Sequence, residues 1–164
     1  YVEDIIRKEE PFSEWQIRNI HQLILKNIDD DNAGRYRQQN VLISGATSTP
    51  PDYTLLNDKM AQLVDWYNSE AHKLHPIERA AKVHADFVGI HPFIDGNGRT
   101  SRLLMNLELL KAGYPPCVIT VESRLAYYEA LDQWMAYGKT EAFIQLVSDA
   151  VLEGFKPYQV VLGI

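Results

Sequence analysis

A mainly α-helical fold with one small β-hairpin flap is what this sequence predicts. Apolar residues recur at helical spacing along most of the chain, and the helical runs are separated by short breaks rich in Gly, Pro, Asn and Asp. Only the stretch from about 35 to 51 mixes apolar and polar residues without a helical period. With 46% apolar content in 164 residues, the chain can bury one substantial core and has little room for another, so a single domain over 1–164 is expected.

The first helix reads from Ser13 as N-cap through Trp15, Ile17, Ile20, Leu23, Ile24 and Ile28, and it ends in the polar run Asp29-Asp30-Asp31-Asn32-Ala33-Gly34. Tyr36, Val41 and Ile43 then lie among polar residues ahead of Ser44-Gly45 and Pro50-Pro51, which reads as a short hairpin or extended flap. Leu56, Met60, Leu63, Val64 and Tyr67 return to helical spacing between Tyr53 and Ser69, and a further helix starts near Pro76 and runs towards Ile90. After a loop from His91 to Arg99, Thr100 to Ala112 reads as a helix closed by Gly113 and the stop signal Pro115-Pro116. Helices over about Ser123 to Tyr137 and Glu141 to Glu153 follow, and there is no internal repeat.

The formal charge of −6 repels a phosphate backbone and speaks against general nucleic-acid binding, although local basic groups can still hold one nucleotide. Cys117 is the single cysteine and no Cys/His cluster has zinc spacing, so the chain reads as intracellular and free of a structural metal. No apolar run approaches the roughly 18 residues needed to span a bilayer. Tyr1-Val2-Glu3-Asp4 does not resemble a signal peptide, so a cytoplasmic chain without a membrane segment is expected. There is no initiator Met, which points to missing upstream sequence.

The chemistry concentrates between His91 and Arg102. Gly96-Asn97-Gly98 sets two residues free of Cβ constraint beside one that tolerates the left-handed region, immediately before a helix. Such a chain can fold into a nest of backbone N–H groups at a helix N-terminus, which binds anions. Arg99 and Arg102, three apart, can both reach a polyphosphate with guanidinium forks suited to phosphate oxygens. Asp95 offers a hard oxygen ligand for Mg²⁺. His91, placed before Pro92 and so biased to an extended backbone, has a pKa range suited to taking a proton from a hydroxyl at neutral pH. Phe93 and Ile94 read as core anchors. Taken singly, each of these also has a plain reading: a solvated turn, a turn-capping Asp, a structural histidine.

Together, the nine residues His91-Pro92-Phe93-Ile94-Asp95-Gly96-Asn97-Gly98-Arg99 resemble the Fic domain motif, His-Pro-Phe-x-Asp/Glu-Gly-Asn-Gly-Arg, without a mismatch. The similarity continues through Thr100-Ser101-Arg102-Leu103-Leu104-Met105-Asn106-Leu107 and Gly113-Tyr114-Pro115-Pro116, and Gly34-Arg35-Tyr36-Arg37 looks like the family's region before the core. The resemblance implies a Fic fold and a protein adenylyltransferase that moves AMP from ATP onto a Tyr, Thr or Ser hydroxyl of a target protein. By that resemblance His91 is the general base, Asp95 the Mg²⁺ ligand, and Gly96, Asn97 and Gly98 the phosphate nest. Arg99 and Arg102 hold the β- and γ-phosphates, Tyr128 and Met135 contact the nucleoside, and Val41, Leu42 and Ile43 in the flap dock an extended target segment by strand-like pairing. Self-modification and a homodimer are further expected partner states.

Many members carry an inhibitory helix with the pattern Ser/Thr-x-x-x-Glu-Gly/Asn. The nearest segment here, Asp149 to Glu153-Gly154, has Asp at the first position and reads as a solvated helix end. The chain looks most like members whose inhibitory helix precedes the core, so that segment is expected upstream of Tyr1. With such a Glu supplied, AMP removal is the alternative activity. Gly98 argues against the phosphotransferase relatives, which carry Lys there. Other donors, a nucleotide-binding module without turnover, and a metal-dependent hydrolase using His75, His84, His91 and Asp95 are the competing readings.

Overall fold

The computed structural model describes residues 11–163. Helix α1, Glu14–Leu25, opens on Ser13, whose hydroxyl accepts the Gln16 N–H at 3.2 Å. This is the arrangement that satisfies one orphan donor of a helix start. Helix α2, Leu56–Glu70, is entered through the 3₁₀ turn Tyr53–Leu55 and leaves through another, Ala71–Lys73. Helix α3, Pro76–Ile90, starts with its proline in the first turn, where the missing N–H costs nothing. Helices α4, Asn97–Lys111, α5, Arg124–Tyr137, and α6, Glu141–Leu162, follow.

Helix α3 is the centre because it is apolar on two faces. Val83, Phe87 and Ile90 recur at helical spacing towards α1 and α2, in a core with Ile17, Ile20, Met60, Phe93 and Leu104. Ala81, Ala85 and Val88 face the other way, in a core with Met105, Leu109, Phe143, Val147 and Val151 from α4 and α6. Alanines at 80, 81 and 85, all fully buried, let the neighbouring backbones approach, and α3 packs most extensively on α4. The loop from His91 to Gly96 joins these two helices and so sits where the packing between elements is most extensive.

Several boundaries differ from the sequence reading. Helix α1 stops at Leu25, where Ile28 and Asp29 N–H groups fold back onto the Leu25 carbonyl, and Trp15, Leu23 and Ile28 are exposed. Polar Gln16 and His21 take places on the buried face instead. Helix α4 begins at Asn97, three residues before the expected Thr100. Helix α6 runs to Leu162, past the expected end at Glu153. Gly154 marks a close crossing, since a Cβ there would lie 3.1 Å from the Pro115 ring, and Pro157 gives up its bond to the exposed Glu153 carbonyl without ending the helix.

The expected β-hairpin is not formed, and no strand occurs among the described residues. Residues 35–51 make an extended flap whose arms are stitched by side chains. The Arg37 guanidinium donates to the carbonyls of Gln39 and Pro51 at 2.9 and 2.6 Å, and the Asn40 amide bonds Asp52 and the Tyr53 N–H. Side chains thus take the place of a backbone ladder, so the flap holds its shape without strand pairing.

One charge cluster lies inside the fold. Glu108, 2% exposed, accepts from Tyr67 Oη at 2.7 Å and Arg79 Nε at 3.0 Å, with Lys111 at 3.4 Å. Glu153 and Lys156 form an i,i+3 pair that is about two-thirds exposed on both sides. Removing one partner of a buried pair costs far more than removing an exposed one. Glu108→Ala is expected to lower unfolding free energy by about 3 kcal/mol or more and Glu153→Ala by under about 1 kcal/mol, read from urea unfolding.

Candidate active site

His91 is the C-cap of α3 with φ 51° and ψ 56°, in the left-handed region. The extended backbone expected from Pro92 is not adopted. The proline bars the right-handed region, and the helix ends through a left-handed residue instead. A non-glycine residue there costs on the order of 1–3 kcal/mol and needs outside support. The support is polar: the His91 N–H donates to the Phe87 carbonyl at 3.1 Å, and the His91 carbonyl accepts from Arg37 Nε at 2.9 Å. The Arg37 N–H also donates to Pro92 O at 2.9 Å, and its side chain is almost wholly buried.

This geometry decides the state of the imidazole. His91 Nδ1 lies 3.2 Å from the Val88 carbonyl, which can only accept, so Nδ1 carries the proton and Nε2 keeps a free lone pair. Burial lowers the His91 pKa below 6.5, and the nearby Arg37 charge adds to that; the Val88 bond and Asp95 oppose it. The ring is therefore neutral at pH 7.

Between the two helices, Gly96 has φ 80°, and a Cβ there would meet His21 Nε2 at 3.0 Å, so both conformation and space require glycine. Asn97 turns its side chain inward, accepting the Phe93 N–H at 3.0 Å and donating to the Phe93 carbonyl at 2.8 Å. It is a staple of the loop, and only its main-chain N–H is available to an anion. Gly98 lies in the first turn of α4 with no positive φ, contrary to its expected use as a free-torsion residue. A Cβ there would lie 3.5 Å from Arg102 Nη1, so glycine leaves open the space beside that guanidinium. The Thr100 N–H closes onto Gly96 O at 2.9 Å, which leaves the N–H groups of Asn97, Gly98 and Arg99 without a partner among the described residues. These three donors and the helix dipole make the start of α4 an anion site.

A cavity of about 440 Å³ opens at that point, lined by Val88, His91, Gly98, Arg102, Tyr127, Tyr128, Leu131, Asp132, Met135 and the flap tip from Ile43 to Ala46. Tyr128 and Met135 thus share one space with His91 and Arg102. Tyr128 is half exposed and carries the Arg124 guanidinium at 5.6 Å from its ring. Of the expected flap residues only Ile43 lines the cavity; Leu42 points outward, 81% exposed, and Val41 is half-buried. The tip is tied down where Asp132 accepts the Thr47 N–H at 2.7 Å. Asp95 lies outside the lining, exposed, accepting from its neighbour Gly96 N–H at 2.6 Å and pairing with Arg99 at 2.9 Å. Larger grooves of about 600 Å³ elsewhere hold none of the motif residues.

His21 was not singled out from the sequence. Fully buried on α1, it accepts the Gly34 N–H at Nδ1 (2.8 Å), which leaves Nε2–H to donate to the Asp95 carbonyl at 2.9 Å. Its ring stacks on Phe93 with centroids 3.5 Å apart and 4° between planes. The available signal was a histidine on the same helical face as Ile17 and Ile20. Arg37 and Tyr127 were also missed as site residues.

The hydrolase reading fails on geometry. His75 caps α3, His84 is buried against Tyr127, and among the described residues no group of three or more His, Cys, Asp or Glu could hold a metal. Asp149 and Glu153 line a separate groove between α5 and α6 and do not enter the cavity.

The sequence profile of the Fic/DOC family matches residues 11–109. The chain is 43% identical over 116 residues to protein adenylyltransferase fic-1 of Caenorhabditis briggsae, covering 70% of this chain and 22% of that protein. It is 42% identical over 145 residues to protein adenylyltransferase Fic of Nematostella vectensis, covering 88% and 33%. The chain therefore spans only a fifth to a third of these relatives. A solved structure of Caenorhabditis elegans Fic-1 superposes with a TM-score of 0.85 at 32% identity, covering 99% of this chain and 49% of that one.

The His21 clamp is open to test. His21→Phe keeps a ring on Phe93 and leaves the Gly34 N–H and Asp95 carbonyl unmet, at roughly 1–3 kcal/mol for each group. A loss of about 2–4 kcal/mol is expected in urea unfolding, against under about 1 kcal/mol for Gln22→Ala on the exposed face of the same helix.

Proposed function

The chain belongs to the Fic/DOC family, and from that footing we propose that it is a protein adenylyltransferase, moving AMP from ATP to a Tyr, Thr or Ser hydroxyl of a target protein. The observation that carries the reading is the meeting, in one cavity, of a neutral His91 with its Nε2 lone pair free, the open N–H groups of α4 and the Arg102 guanidinium. Those are the parts that transfer between a hydroxyl and a polyphosphate requires: a base, an anion site and a cation for the leaving charge.

In this reading the target hydroxyl gives its proton to His91 Nε2 as its oxygen attacks the α-phosphorus. The bond from that phosphorus to the bridging oxygen breaks, and pyrophosphate leaves with its charge met by the α4 N-terminus, Arg99 and Arg102. Arg99 first has to release Asp95. Residues Tyr128 and Met135 take the nucleoside, one offering an aromatic face and the other a pliable thioether.

Asp95 fits a place in a Mg²⁺ site: its carboxylate is 67% exposed beside the anion site, and the scarcity of other carboxylates suits an ion whose remaining ligands are phosphate oxygens and water. Bound there, Mg²⁺ would neutralise charge on the phosphates. The extended flap offers the main-chain groups of Val41 and Leu42 and the Ile43 N–H, which have no partner among the described residues and are available to a target segment adding as a strand; the Ile43 carbonyl already accepts the Ala46 N–H at 3.1 Å. No helix among the described residues is long and apolar enough to cross a membrane.

The test supplies Mg²⁺ and ATP labelled at the α- or the γ-phosphate to the chain and to His91→Ala, with a lysate as target source, followed by intact-mass analysis. Transfer of the α-label with one added AMP, falling by roughly 10²–10⁴ in the variant, is expected. Transfer of the γ-label would replace the reading with phosphotransfer, and ATP binding without transfer would favour a binding module. The base also sets the pH dependence. His91 must be neutral, and its pKa lies below 6.5, so kcat/KM is expected to hold from pH 8 to 7 and to fall only below about 6.5, as the ring is protonated.

A further inference from the structure

The cavity beside His91 is lined by two side chains that are charged at neutral pH, and they have opposite sign. Arg102 is the cation and Asp132, on α5, is the anion. The transfer step uses Arg102 and leaves Asp132 without a part. Asp132 lies four residues after Tyr128 and three before Met135, so the three share one face of α5 and project into the same space. Tyr128 and Met135 are the residues read as taking the nucleoside, which places the carboxylate among them. Ile43, Val88 and Leu131 give the remaining lining an apolar character.

Asp132 Oδ1 accepts the Thr47 N–H at 2.7 Å and so ties the flap tip to α5. A neutral amide oxygen would serve that bond as well. A full negative charge in a cavity that receives a polyphosphate works against binding unless it meets a donor on the same ligand. The carboxylate has room for about four donors, and the Thr47 N–H takes one of them. An adenine nucleotide has the layout that matches the cavity: an anionic tail at one end and, at the other, a flat apolar base with an amine on its edge.

We propose that Asp132 is the base-selecting residue of the cavity and accepts the 6-amino group of the donor's purine. This rests on the reading that the cavity takes a nucleoside triphosphate. The choice it makes is specific. A 6-oxo purine turns an acceptor towards the carboxylate and is repelled. Guanine offers N1–H and a 2-amino group side by side and needs both carboxylate oxygens at once, while Thr47 holds Oδ1.

Calorimetric titration of ATP, ITP, GTP and 2′-deoxyATP with Mg²⁺, against the chain and Asp132→Asn, tests this. The variant keeps the flap bond, because its amide oxygen stays on the Thr47 N–H, and it sets an NH₂ donor where the second carboxylate oxygen stood. The chain is expected to bind ATP about tenfold or more tightly than ITP or GTP, the range of one hydrogen bond to a charged group. In Asp132→Asn the ATP-to-ITP ratio is expected to fall to within about threefold, through weaker ATP and tighter ITP, with the ATP-to-2′-deoxyATP ratio unchanged. Equal affinity of the chain for ATP and ITP, or a ratio that Asp132→Asn does not move, overturns the proposal and leaves the nucleotide reading standing. Tighter binding of GTP than of ATP overturns it as well. So does a change in the 2′-deoxyATP ratio alone, since the carboxylate then holds the ribose. If no triphosphate binds, the nucleotide reading is wrong and the proposal falls with it.

Discussion

The hydrogen bond from the Arg37 guanidinium to the His91 carbonyl holds together three things that would otherwise drift apart. It closes a left-handed helix end that a histidine does not favour, it ties the flap to α3, and through the turn it sets the direction in which the ring leaves the helix. The rest of the site is arranged around that fixed point. With the backbone set, Val88 O falls within reach of Nδ1 and the tautomer is decided before any substrate arrives. In the proposed transfer, a base held this way needs no reorganisation, which is where preorganised sites gain most.

His21 performs the same service on the other side of the loop. Its two ring nitrogens join Gly34 to Asp95, and its ring stacks on Phe93, so α1, the segment before the flap and the motif loop are tied together. Asn97 completes the scaffold from inside the loop. The motif is therefore built in two layers. Side chains turned inward hold its shape, while main-chain N–H groups and Arg102 turn outward to the cavity.

Electrostatics within the site run against the chain as a whole. A protein of net charge −6 places an uncompensated helix N-terminus and Arg102 at one cavity, with Arg99 outside its lining and paired to Asp95. The residues nearest those charges are neutral: His91 and His84 by burial, Tyr127 by the same cause. Asp95 is the exception, and its exposure keeps it free to exchange Arg99 for another cation.

The helices were legible in the sequence because each depends on residues three and four apart, and the motif because its nine residues are contiguous. Ser13 capped α1 and Pro76 opened α3 where local rules placed them. What a local reading could not reach were bonds between distant residues. His21 meets Asp95 across 74 positions, Arg37 meets His91 across 54, and Tyr127 meets His84 across 43. The hairpin was expected from Tyr36, Val41 and Ile43 lying among polar residues ahead of the breaks at Ser44-Gly45 and Pro50-Pro51, yet a strand needs a partner backbone, and here Arg37 and Asn40 side chains bind the flap in its place. By itself the sequence determined which segments are helical and that His91, Asp95 and two arginines flank a glycine-rich loop at a helix start. Tertiary structure alone decided the left-handed turn at His91, its proton position and the His21 clamp on Gly34 and Asp95, because each depends on burial and on groups that only the folded chain brings together.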